Sequence, residues 1–121
     1  MVVTLAMTTF DCARPAAQAS FWAELLGWDV AAADDAYAML TRAGAPALGF
    51  GAVPGWQPPA WPDEGGRKRV HLDLSVDDLD TAQERCLALG ATVVEPQPQP
   101  DRWRVLRDPD GLLFCLARWA G

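Results

Sequence analysis

The stretch from Val70 to Gly90 changes its apolar spacing once, and that change constrains the fold more than any other feature. A period of two comes first, which is typical of a half-buried strand; the apolar positions are Val70, Leu72, Leu74 and Val76. Helical spacing follows, at Leu79, Ala82, Cys86 and Leu89. Asp78 between them is placed to cap the helix, and Gly90 to end it. The stretch therefore predicts a strand–turn–helix unit.

The first half of the chain repeats this order. A helix is predicted from about Ala16 to Leu26, and aligning Gly27 with Gly90 superposes the two helices. Each half then contains one strand, one helix and three more strands, and such a repeat decides a fold. We predict an α+β fold of two tandem βαβββ modules, which form a curved, cleft-bearing assembly of mixed sheets.

The 121 residues suit a single domain, with module 1 at about 1–53, a linker at 54–68 and module 2 at about 69–121. The linker contains four prolines and three glycines, which disfavour both helix and sheet. It also carries Trp56 and Trp61, so we expect it to pack against the domain.

Net charge and cysteine content indicate which partners and which cell compartment to expect. The net charge of −6 argues against nucleic acid and anionic membranes as partners. Apolar runs are too short to cross a bilayer, and the N-terminus lacks the pattern of a secretory signal. The three cysteines lack CxxC spacing and are expected to be reduced thiols of a cytoplasmic protein. We expect a small-molecule partner and a homodimer with an apolar interface.

Several segments together resemble one family. They are FWAELLGWDV at the first helix end, VHLDLSVDDLDTA and LGATVV in the second half, and DPDGLLFCL near the end. With the βαβββ repeat, they are similar to the glyoxalase/bleomycin-resistance/dioxygenase group, the vicinal oxygen chelate superfamily, and to its small glyoxalase-like branch. The resemblance implies fold more than function, since this superfamily includes metal enzymes and proteins that only bind drugs.

The resemblance supplies a test for metal. Metal enzymes of this superfamily take ligands from the first and fourth strands of both modules. In the second module those positions correspond to His71 and Cys115, and in the first to Met7 and Gly49. Only His71 is a ligand of the expected type, and catalytic zinc usually has three protein ligands. We therefore expect no metal and no cofactor.

His71, the single histidine, has two interpretations. It is either a half-buried side chain that hydrogen-bonds a neighbour such as Asp73, or a donor or general base in the cleft. Asp11 and Asp73 are either solvated carboxylates or members of the same cluster. Cys115 is expected to face His71.

Tryptophans supply candidate walls for a pocket. Trp103 and Trp119 lie on predicted strands, and Trp56 and Trp61 on the linker. Aromatic walls hold flat apolar ligands, although tryptophan is also a common packing residue. We predict a metal-free binder of a small hydrophobic or aromatic molecule. The alternative is a lyase, isomerase or dioxygenase that uses His71 as metal ligand or general base.

Overall fold

A computed structural model describes residues 2–63, 65–66 and 70–118. The elements, in chain order, are β1 (Met7–Cys12), α1 (Pro15–Leu26), β2 (Asp29–Ala33), β3 (Tyr37–Thr41), β4 (Ala47–Ala52), β5 (Leu72–Ser75), α2 (Leu79–Ala88), β6 (Thr92–Val93), β7 (Trp103–Arg107) and β8 (Leu113–Ala117). Two four-stranded mixed sheets and two helices confirm the predicted α+β fold of two βαβββ modules. The chain divides into two compact units, Met1–Gln57 and Pro58–Gly121.

The first unit contains the sheet β1-β4-β3-β2, with β1 parallel to β4 and the other pairs antiparallel. Helix α1 packs against β2, β3 and β4. Phe21 and Trp22 on α1 are buried, as expected for burial of large aromatic area in a core. Gly27 ends the helix with φ +72°, as its position predicted.

The second unit repeats this topology in the sheet β5-β8-β7-β6, with β5 parallel to β8. Helix α2 packs against β6, β7 and β8. Leu106, Phe114 and Leu116 are almost fully buried. These side chains form the core of the unit, and the opposite face of the sheet is left for other contacts.

Asp78 is the N-cap residue of α2, as predicted, and its side chain contacts a hydroxyl of the first turn. Its carboxylate accepts a hydrogen bond from the Thr81 hydroxyl at 2.6 Å. That hydrogen bond holds the pKa of Asp78 below its ordinary value of 3.8, because it favours the charged form.

One strand extends further than local sequence indicates. Asp11, Cys12 and the nearby Pro15 favour a turn, but β1 continues through both Asp11 and Cys12. Their parallel register partners are Gly51 and Ala52 on β4, so long-range pairing decides the local structure.

The proline-rich stretch is divided between the two units after Gln57. In the second unit the indole of Trp61 donates to the Pro96 carbonyl at 2.9 Å. The Arg107 guanidinium donates to the carbonyls of Pro59 and Gly111, at 2.9 and 2.7 Å. Residues 58–61 are therefore held against the sheet of their own unit. Among the described residues, no helix is long and apolar enough to span a bilayer.

Candidate functional site

Strand register brings the predicted site residues of the second unit onto one face of its sheet. Asp73 on β5 is the register partner of Cys115 on β8, and Cys115 is also the partner of Val105 on β7. The next row on this face is Ser75, Ala117 and Trp103. Register partners share a face and side chains alternate between faces, so this is the face opposite Leu106, Phe114 and Leu116.

A cavity of about 390 Å³ opens on this face. It is lined by His71, Asp73, Trp103, Cys115, Ala117 and Arg118. Four of these residues were predicted from the sequence as site residues, and the structure brings those four together.

Polar groups cluster at one side of the cavity. His71 Nε2 lies 3.4 Å from Asp73 Oδ1, and the side chains of these residues are 35% and 45% exposed. The Cys115 thiol is half-buried beside them. His71, Asp73 and Cys115 each have one potential metal-ligating atom, and these three atoms all lie within 4.8 Å of one another. A base, a carboxylate and a thiol are therefore adjacent in one accessible site.

Apolar groups support the other side. Val94, Val105 and Leu113 form a buried cluster, against which Trp103, Cys115 and Trp61 pack. Trp61 thus packs against the same cluster as two lining residues of the cavity, Trp103 and Cys115. The site therefore combines a buried apolar cluster with three polar side chains.

Two lining residues were missed by the sequence analysis. Ala117 lies two positions after Cys115 on the same strand, so the period of two could have identified it. Arg118 follows the end of β8 and carries no such signal. Arg118 also lines a smaller, polar cavity with Asp78, Asp80 and Arg104.

Two other predicted site residues belong to the first unit, and a third is not described. Asp11 is exposed on β1 of the first unit, and Trp56 is half-buried after β4 of that unit. Trp119 lies outside the described residues.

The metal site that the resemblance implies can be tested at its first-module positions. The thioether of Met7 accepts a hydrogen bond from the Tyr37 hydroxyl at 3.1 Å. Gly49 has no side chain, and a Cβ there would lie 2.8 Å from Thr9 Oγ1. Neither position supplies a carboxylate, amide or imidazole, so the residues present do not fit that four-ligand metal site, and we derive no reaction step through a metal.

Comparison with known proteins agrees with the fold. A family model described as a glyoxalase-like domain matches residues 7–117. No curated protein matches the chain.

Solved structures extend this likeness. A glyoxalase/bleomycin resistance protein/dioxygenase family enzyme from Burkholderia phytofirmans PsJN is similar, with 18% identity and a TM-score of 0.68, over 96% of this chain and 98% of that chain. A glyoxalase-related enzyme from Fulvimarina pelagi has 20% identity and a TM-score of 0.68, and the match covers 98% of this chain and 89% of that chain.

A third similar structure is that of a bleomycin-binding protein from bleomycin-producing Streptomyces verticillus, solved with copper(II)-bleomycin. It has 18% identity and a TM-score of 0.58, and the match covers 99% of this chain and 100% of that chain. At these identities the structural likeness shows the fold, and the family model covers most of the chain. Because the family model matches residues 7–117, the chain belongs to the glyoxalase-like domain family.

Proposed function

We propose that this protein binds a small, flat, mostly apolar molecule in the cavity of its second unit, without a metal and without turning it over. The observation that carries the proposal is the lining: Trp103 and Ala117 on one side, with His71 and Asp73 on the other. The volume of about 390 Å³ is within the usual range for small-ligand sites.

The arrangement of the lining determines which molecules fit. An aromatic ring packs on the Trp103 indole, because offset or edge contacts between rings are favourable beyond their buried area. A hydroxyl or carbonyl on the ligand reaches His71, which can donate or accept a hydrogen bond. The support for binding rather than the metal chemistry of the superfamily's four-ligand enzymes is that Met7 and Gly49 supply no carboxylate, amide or imidazole.

Relatives support small-molecule binding as a class. The Streptomyces verticillus protein is described as bleomycin-binding and was solved with copper(II)-bleomycin.

A fluorescence titration tests the proposal. We expect 2-naphthol and naphthalene to quench tryptophan emission of the purified protein, with 2-naphthol binding more tightly because its hydroxyl reaches His71. His71→Ala should weaken the binding of 2-naphthol and leave the binding of naphthalene nearly unchanged, since this partly exposed side chain contributes little buried apolar area. Equal effects on both probes, or no saturable quenching of the wild-type protein, would contradict the proposal.

We also propose that the protein is a homodimer in the cytoplasm. Apolar side chains that a soluble monomer seldom exposes together support the dimer: Val2, Val3 and Leu5 are 89%, 82% and 70% exposed. No disulfide joins Cys12, Cys86 and Cys115 in the described part of the chain, which is in keeping with a reducing compartment.

A further inference from the structure

We propose that Cys115 is a nucleophile that captures electrophilic ligands in this cavity by reversible conjugate addition to an α,β-unsaturated carbonyl group, with His71 as its base. The inference rests on the proposed function, because it requires the same cavity to hold the ligand. It adds a covalent step and a ligand class to that function.

Exposure singles out Cys115 among the three thiols. Cys12 and Cys86 are fully buried, and Cys115 is half-buried and lines the cavity. Burial also raises the pKa of Cys86 to about 11, which keeps that thiol protonated at neutral pH. Since the thiolate is the reacting form of cysteine, neither buried thiol competes with Cys115.

Geometry supplies the partners that a nucleophilic thiol needs. Atoms of Cys115, His71 and Asp73 lie within 4.8 Å of one another, and His71 Nε2 is 3.4 Å from the Asp73 carboxylate. A thiol close to an imidazole and a carboxylate is the set of groups found at activated cysteines, and the distances between such groups are often longer before a ligand is bound.

The chemical step balances without an oxidant or a metal. The Cys115 thiol gives its proton to the His71 imidazole, and sulfur forms a bond to the β-carbon of the ligand. The π electrons of the carbon–carbon double bond move to the α-carbon as an enolate, which takes the proton back from the imidazolium. Asp73 stabilises the imidazolium while it exists. The reverse sequence releases the ligand, so the capture is reversible.

The lining defines the ligand class. Trp103 and Ala117 offer an apolar surface beside the thiol, which suits an aryl group conjugated to the unsaturated carbonyl. The structure therefore assigns aryl enones, and related flat unsaturated carbonyl compounds, as the electrophiles that react.

Intact-protein mass spectrometry tests the step. The probe is 4-phenylbut-3-en-2-one, with 4-phenylbutan-2-one as its saturated control, both in a buffer containing a chelator. We expect one adduct per chain, located at Cys115 by peptide mapping, and none with the control. The rate should exceed that of glutathione at least about tenfold, which is modest beside the roughly 10²–10⁴-fold that a positioned base contributes.

Matched variants separate activation from simple exposure. Cys115→Ala should abolish the adduct, and Cys86→Ala should leave it unchanged. His71→Gln should slow the reaction at least about tenfold with an unchanged melting temperature, and Asp73→Asn should slow it less. A rate equal to that of glutathione, indifference to His71→Gln, or labelling of Cys12 or Cys86 first would overturn the inference.

The saturated control distinguishes this inference from the proposed function. If 4-phenylbutan-2-one quenches tryptophan fluorescence and the enone forms no adduct, the covalent step is wrong and the binding function stands. If neither probe binds, both are wrong.

Discussion

Asp73 and Cys115 are register partners on adjacent parallel strands, β5 and β8, so their side chains lie side by side on one face of the second sheet. This pairing exists because the first and fourth strands of the module are neighbours in space although they are far apart in sequence. Together with His71 two positions before Asp73, it creates the polar side of the cavity. The topology of the module therefore places the site.

Trp103 should contribute most of the apolar affinity. Trp103→Ala removes the aromatic surface from the cavity, and we expect naphthalene binding to weaken about tenfold, equivalent to about 1.4 kcal/mol, near the upper end for one aromatic contact. Isothermal titration calorimetry measures the loss. Trp56→Ala, in the first unit, is the matched control and should leave affinity unchanged. The reverse ranking of the two variants would place the ligand elsewhere.

Gly111 should be intolerant of a side chain for two reasons. Its φ of +97° is unfavourable for alanine, and an added Cβ would lie 2.8 Å from Pro58 Cβ. Gly44 has a similar φ of +82° but nothing within 4 Å of an added Cβ, so it is a matched control.

We expect Gly44→Ala to lower the free energy of unfolding by about 1–2 kcal/mol through backbone strain alone. Gly111→Ala should lower the free energy of unfolding by roughly 1–3 kcal/mol more than Gly44→Ala does, because the segments that contain Gly111 and Pro58 must move apart. Urea denaturation monitored by tryptophan fluorescence compares them. Equal losses would show that contact with Pro58 does not contribute to stability.

Gln97 should stabilise the second unit through its amide. Its Nε2 donates to the carbonyls of Val94 and Val105 at 2.7 and 2.8 Å, and its Oε1 accepts from the Val105 amide at 2.9 Å. Gln97→Leu leaves these backbone groups without their partner, which should cost about 1–3 kcal/mol in unfolding free energy. Gln99→Leu, at an exposed position, is the control and should change stability little.

Cys86 should make the protein less stable at alkaline pH. Burial raises its pKa from 9.0 to about 11, so between these values the unfolded chain loses the thiol proton and the folded chain keeps it. The stabilisation is therefore complete below about pH 9 and disappears as the pH rises towards 11. The melting temperature of the wild type should fall through this range more steeply than that of Cys86→Ala. Parallel curves would contradict this assignment.

The association state can be measured directly. Sedimentation at micromolar concentration should show a species of about twice 13.1 kDa. Val3→Asp with Leu5→Asp should shift it towards the monomer, because charges are costly in an apolar interface. A 13.1 kDa species for the wild type would contradict the homodimer.

Local patterns predicted most of the fold. The change from a period of two to helical spacing after Asp78, and the glycines at 27 and 90, are local signals, and they located both helices and the repeat. Strand ends were less predictable. The last residues of β1 pair with β4, and that pairing outweighs the local turn preference of Asp11.

The site was only partly predictable for the same reason. Alternation placed His71 and Asp73 on one face, but their proximity to Cys115 depends on strand register, which no local pattern specifies. Trp61 packs against the buried cluster through an irregular segment that is held by two hydrogen bonds, from the Trp61 indole to Pro96 and from Arg107 to Pro59. Contacts of this kind follow from tertiary structure alone.

The most direct test of the central claim is a ¹⁵N-edited NMR titration of the whole protein with 2-naphthol. The account predicts saturable shifts that are largest at the Trp103 indole and at the amides of His71, Asp73 and Cys115, with little change at Cys12 in the first unit. Shifts confined to the first unit, or none at millimolar probe, would contradict the proposal that this cavity binds flat apolar ligands.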